Sequence, residues 1–168
     1  MARSLAYRAS SDYPAQDVYS VMVDPDFLAA RLRQMGGPGA ALLEHEADAD
    51  GARYALRHGL DAKDLPSFVA GFLPATIVIE RTETLRRERP GRYAGTVEVT
   101  IAGTPASAAG GMRLADRAGG GSEFDVHADV TVSVPFVGGK IEGIVADQVR
   151  QLLAAETRFT MDWIAARR

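Results

Sequence analysis

The stretch V134-P-F-V-G-G-K-I-E-G-I-V-A-D-Q-V-R-Q-L-L153 decides how the rest of the chain is read. It leaves a valine-rich run through a proline and two glycines, then continues to the C-terminus without a helix breaker. Pro135 ends a strand because it cannot donate to a ladder, and Gly138 and Gly139 are expected to supply the tight reversal. The two glycines with Lys140 could instead form an anion site at a helix start; a strand-to-helix reversal accounts for them on backbone grounds alone.

The helix that follows places Ile141, Val145, Leu152, Phe159 and Trp163 in one stripe, with Ile144 and Val149 at its edges. At 1.5 Å per residue it reaches about 40 Å, the width of a domain of this size. Gln148 and Glu156 interrupt the stripe. Either they sit at its edge and reach water or backbone, or they line a cavity and offer polar contacts to a bound molecule. An ionised Glu156 in a closed core would need water, a partner or a raised pKa.

Upstream, residues 122–134 alternate, with Phe124, Val126, Ala128, Val130, Val132 and Val134 on one face and Asp125, His127 and Asp129 on the other. Such a strand belongs to an antiparallel sheet with one wet face. Three further strands are predicted at about 75–86, 91–102 and 105–117, and a hairpin at 40–47 and 52–60. A first strand covers 3–10. Two short helices follow it, separated at Asp24-Pro25, where Asp24 caps the second and Pro25 occupies its first position. The segment 61–74, DAKDLPSFVAGFLP, fits neither period and reads as an apolar loop with at most one helical turn.

The order is therefore strand, two helices, six strands and one long helix, a two-layer α+β arrangement in one domain over 1–168. The sheet, of about seven strands, is expected to curl around the C-terminal helix.

Composition narrows the function classes. The 168 residues carry 19 Lys/Arg against 22 Asp/Glu, a formal charge of −3 without a basic cluster, which argues against nucleic acid as a partner. With no cysteine there is no thiolate chemistry, and the three histidines lack metal-ligand spacing, so neither metal nor cofactor is expected. The N-terminus has no signal-like apolar region and no run is long enough to span a bilayer, so a cytoplasmic setting is expected. Oligomeric state is not legible.

Searching for chemistry turns up only weak sets. His127 should face solvent. His45 and His58 could point inward with Tyr54, where they would act as acid and base, or be partly buried residues bonded to backbone or water. There is no nucleophile elbow, Walker loop or dinucleotide fingerprint.

The element order, the helix pair in VYSVMVDPDFLAARL and the motif VPFVGGKIEGIVADQV together resemble the START-like (SRPBCC) superfamily with its helix-grip fold. Within it, the chain is most similar to a family found mainly in actinobacteria with a comparable Pro, Gly-Gly, Lys, Ile, Glu passage into the last helix. The resemblance implies a deep, largely apolar cavity between sheet and helix, used by relatives to carry lipids, sterols or hormones or to guide polyketide cyclisation. No universal catalytic set comes with it.

The expected function is binding of a small hydrophobic or amphipathic molecule, with a polyketide cyclase or aromatase as the alternative. Candidate cavity residues are Tyr54, Leu56, His58, Phe68, Phe72, Val97, Val99, Met112, Val130, Gln148, Leu152, Glu156 and Phe159. Phe68, Phe72 and Leu73 are either gate residues or the end of the core, and the 61–74 loop could touch a membrane transiently. The small residues of GTPASAAGGMRLA either leave space on the inner face or, at Gly110-Gly111, mark a bulge.

Overall fold

The structure, a computed structural model, describes residues 2–71 and 73–168. Seven strands, β1 (Ala2–Ser11), β2 (Ala41–Ala47), β3 (Gly51–Asp61), β4 (Thr76–Arg89), β5 (Arg92–Ile101), β6 (Ala106–Asp116) and β7 (Ser122–Val132), form one antiparallel sheet. Their order is β1-β7-β6-β5-β4-β3-β2, so β2 to β7 are a meander and β1 closes onto β7. Helices α1 (Ala15–Met22) and α2 (Pro25–Met35) fill the crossover from β1 to β2. The loop after β3 holds a 3₁₀ turn at Ala62–Asp64 and a single turn α3 (Ser67–Ala70), and α4 (Gly138–Ala166) ends the chain. This is the expected helix-grip α+β fold.

Local chemistry explains the boundaries. The Asp24 carboxylate accepts from the Asp26 amide at 2.9 Å, with Pro25 opening α2. In β2 the register shifts between Leu42 and Glu44, leaving Leu43 unpaired and exposed. That bulge changes the parity, so Leu43 points out while His45 lies opposite Tyr54 on the inner face. Gly110 also serves close approach: a Cβ there would stand 1.9 Å from the carbonyl oxygen of His127 on β7. Its role is tight strand packing, not empty space.

The main core is the inner face of the sheet against α1, α2 and the C-terminal half of α4. Phe27, Leu28 and Leu56 are fully buried, Tyr19 stacks on Tyr93 at 4.3 Å, and Phe27 meets Phe159 and Trp163. A second, smaller cluster joins Val69 of α3 to Val132 and Ile141. Val69, not Phe68, anchors the 61–74 segment; Phe68 is 37% exposed, under the Lys140 ammonium at 4.6 Å. Phe72 lies outside the described residues.

The reversal into α4 differs from expectation in its mechanism. The residue in the left-handed region is Phe136, φ 68°, fully exposed, not a glycine. Gly138 is required for another reason, since a Cβ would lie 2.5 Å from the Val132 carbonyl oxygen; Gly139 has open space around it. In the first turns of the helix, the buried Glu142 carboxylate accepts the Val132 backbone N–H at 2.8 Å, joining the end of the last strand to the start of α4.

This junction also fixes the rotation of α4. The buried positions are Gly138, Ile141, Glu142, Ala146, Leu153, Glu156, Thr160 and Ile164. Compared with the predicted stripe, the buried face is turned by roughly a quarter of a turn. Val145, Leu152, Phe159 and Trp163 are only half-buried.

Glu142→Ala removes the acceptor and leaves a buried amide unsatisfied, at a cost of about 1–3 kcal/mol. Urea denaturation should show that loss, and Glu142→Gln should recover most of it because an acceptor is retained; an unchanged Glu142→Ala midpoint would refute the assignment.

Candidate functional site

The alternation of β3 and β4 puts an unusual set of side chains on the inner face. Tyr54 pairs with Glu83, Leu56 with Arg81 and His58 with Ile79. Arg81 and Glu83 are thus two residues apart on the same face, beneath the helices. Both are buried, as are Arg31 of α2 and Glu156 of α4 at 4% exposure and His58 at 7%. Four charged residues from three elements meet in the interior.

Arg81 is the centre. Its Nε donates to Glu83, and its Nη1 and Nη2 donate to the two oxygens of Glu156 at 2.9 and 3.0 Å. The second oxygen of Glu83 accepts from the Tyr54 hydroxyl at 2.6 Å. Arg31 Nε stands 3.5 Å from Glu156, an ion pair without a well-formed hydrogen bond, and its guanidinium lies 5.8 Å from the Phe27 ring centroid. The buried atoms without a hydrogen-bond partner include Arg31 Nε, Arg31 Nη2 and His58 Nε2.

Protonation states follow from these neighbours. Burial opposes ionisation of Glu156, but the Arg31 and Arg81 charges outweigh it and hold the carboxyl at about 2. Burial likewise opposes the Arg81 charge, and Glu156 and Glu83 more than restore it, raising its pKa. The Tyr54 hydroxyl is pushed well up, first by burial and then by the Glu83 carboxylate. His58 is lowered to about 4, by burial first and the Arg81 charge second, so it is neutral at physiological pH.

Apolar surroundings are uneven. Tyr54, Leu56, Val97, Met112 and Val130 belong to the closed core. Val99 and Leu152 are half-buried, as are Ile79, Ile101 and Ala108 on the inner face and Val145 and Val149 on α4. The cause is the seat of α4, whose backbone lies closest to β1 and β7 and away from the middle of the sheet. Phe159 packs on Phe27 and Trp163.

Gln148 is exposed. This corrects the expectation that it lines the interior: the quarter-turn rotation of α4 carries it outward while bringing Glu156 fully in. His45 faces inward but is committed, its Nε2 lying 2.6 Å from the Val23 carbonyl oxygen at the end of α1. His127 is exposed.

Sequence reasoning missed Arg31, Arg81, Glu83 and Glu142. The signal for the β4 pair was present, because Ile77, Arg81, Glu83 and Leu85 share one parity and two of them are charged on the face that also carries the core residues.

Two surface concavities are described, and neither is lined by the charged network. One, of about 590 Å³, sits on the outer face of β5, β6, β7 and β1 between Arg8, Arg113, Asp125 and His127; the other, of about 340 Å³, lies between Ser11, Tyr13 and Asp162. Among the described residues no cluster of three or more His, Asp or Glu side chains is placed to hold a metal ion, and no helix is long and apolar enough to cross a membrane.

With this geometry in view, comparison places the chain. Residues 6–164 match the family described as "Protein of unknown function (DUF2505)". The chain belongs to that family. A relative, "Uncharacterized protein Rv0481c" of Mycobacterium tuberculosis (strain ATCC 25618 / H37Rv), is 25% identical over 170 residues, covering 98% of each chain. Among solved structures, the protein TTHA0849 from Thermus thermophilus superposes with a TM-score of 0.63 at 11% identity, covering 98% of each chain. A START superfamily protein from Mycobacterium smegmatis superposes at 0.56 with 10% identity, covering 96% of this chain and 98% of that one. At these identities the likeness is one of fold, and it shows this DUF2505 member to have a START-like fold.

Two measurements test the DUF2505 site as described. Arg81→Met leaves Glu83 without a cation and Glu156 with Arg31 alone, one buried negative charge in excess, and should cost about 3–5 kcal/mol in chemical denaturation; a loss under about 1 kcal/mol would mean the network is not buried as described. For His58, the pKa is lower folded than unfolded, so the unfolded chain binds a proton first as pH falls. Stability should be flat above about pH 6.5 and decline from there to about pH 4. Glu156, also depressed, adds a further decline from about pH 4.5 towards pH 2. His58→Asn should flatten the first segment and keep the second; a mutant profile parallel to wild type throughout would contradict the assignment.

Proposed function

We propose that residues 1–168 form one START-like domain in the cytoplasm that binds a small hydrophobic or amphipathic molecule between the inner face of the sheet and α4. The observation that carries this reading is the pairing of half-buried apolar walls with a buried polar floor. Val99, Ile101 and Ala108 on the sheet, and Val145, Val149 and Leu152 on α4, are half-buried, so each keeps part of its apolar surface uncovered. Uncovered apolar area costs about 25 cal/mol per Å² relative to burial, so an apolar guest between these walls gains what the chain itself leaves unsatisfied. The fold shared with a START superfamily protein supports the same reading.

The described part of the 61–74 segment, with Phe68 outward and Val69 anchored, is the cover in this proposal and the part that touches a membrane transiently. The cyclase alternative needs groups among His45, His58, Tyr54 or Glu156 to converge in one reactive space. Tyr54 and Glu156 already serve Glu83 and Arg81, and His45 serves Val23. Binding is the better-supported role.

The test is direct. Protein purified without detergent, then extracted with organic solvent and examined by mass spectrometry, should release an apolar compound, and the neutral fluorophore N-phenyl-1-naphthylamine should bind with micromolar affinity. Val99→Trp and Leu152→Trp, which fill the proposed space, should each weaken that binding at least about tenfold, or roughly 1.4 kcal/mol. Probe binding untouched by both substitutions, with nothing extracted, would overturn the proposal.

A further inference from the structure

The charged network has a property that bears on what it can receive. Arg31 and Arg81 supply two positive charges, Glu83 and Glu156 two negative ones, and Tyr54 and His58 are neutral. The set is balanced before anything binds. Hydrogen bonding is not balanced: Arg81 has all three of its donor nitrogens engaged, whereas Arg31 Nε and Nη2 have no partner and His58 Nε2 has none. Arg31 is therefore needed electrically by Glu156 but is left with donors to spare. Both unpartnered side chains are more than nine-tenths buried.

We propose that this corner of the interior receives an uncharged oxygen acceptor, a ketone, ester or amide carbonyl on an otherwise apolar molecule, with Arg31 as its principal donor. This deepens and rests on the cavity-binding reading above. A carbonyl oxygen satisfies Arg31 Nη2 without adding charge, whereas a carboxylate would leave the buried set with one negative charge in excess, a costly state in a low-dielectric interior. The neighbours favour an apolar body for the same molecule. His58 is paired with Ile79 across β3 and β4, and Arg81 with Val99 across β4 and β5, so the half-buried wall begins where the polar corner ends.

Three ten-carbon competitors separate the possibilities: decane, 2-decanone and decanoate, each displacing N-phenyl-1-naphthylamine from the intact protein. The expected order is 2-decanone at least about tenfold tighter than decane, with decanoate weaker than the ketone. Arg31→Lys keeps the charge that Glu156 needs while removing the guanidinium donors, and should fold as wild type by thermal melt yet bring 2-decanone within about twofold of decane. Should the variant not fold, the competitor order on wild type decides alone. If the probe binds but decane and 2-decanone compete equally, water alone fills the corner and this inference fails while the cavity reading stands. Tightest binding by decanoate would overturn it in favour of an anion site, and absence of probe binding would overturn both.

Discussion

The bridge from Arg81 to Glu156 is the constraint on which the interior depends. The long helix lies closest to β1 and β7, at one side of the sheet, yet β4 is three strands further on. Val99 and Ala108, between them on β5 and β6, are short side chains that pack against the core. A guanidinium and a carboxylate on long side chains do reach, and the two-pronged contact at 2.9 and 3.0 Å sets both the distance and the rotation of α4 at that level. An apolar pair of similar volume would often hold a core equally well or better. The ionic strut is therefore not explained by stability alone; its directed hydrogen bonds specify one seat of α4 on β4, which apolar packing leaves less defined.

The other end of α4 is fixed by a different device. Glu142 takes the last amide of β7, Gly138 allows the helix to start against the Val132 carbonyl, and Phe136 absorbs the left-handed turn. With Ile141 buried between them, these contacts settle which face of the helix looks inward at its first turn, and Glu156 settles it again about four turns later. Two polar anchors on one helix, each with its partner on a different strand, leave little freedom to rotate. The apolar stripe of Val145, Leu152 and Phe159 is consequently held off the main seat and only partly covered.

That explains what could be read in advance. The order of elements along the chain, the Asp24-Pro25 boundary and the long terminal helix follow from local rules of period and punctuation, and they stand as expected. The inward position of Glu156 was visible as a break in a periodic stripe, but Gln148 broke the same stripe and points to solvent. A helical wheel ranks faces by hydrophobicity, whereas α4 is oriented by Glu142 and Glu156, polar residues that such ranking discounts. Arg31 and Arg81 were invisible for a related reason: a lone arginine among apolar neighbours looks like a surface residue until its carboxylates, 75 positions away in the case of Arg81 and Glu156, are brought to it. His45 shows the limit of parity in a short strand, since the bulge at Leu43 decides its direction.

The same polar anchors bear on the binding reading proposed above. A cavity lined only by valine and leucine would rank ligands by size and area, with little discrimination among molecules of equal bulk. Here the polar corner is already neutral, so it disfavours charge of either sign, and its unfilled capacity lies almost wholly in donors. Donors held by burial and by a neighbouring ring, as Arg31 is by Phe27, cannot swing out to water when the site is empty. Their desolvation has been met in folding the protein, not at the moment of binding. On the binding reading proposed above, an acceptor reaching Arg31 would gain most of the hydrogen bond without a new desolvation cost.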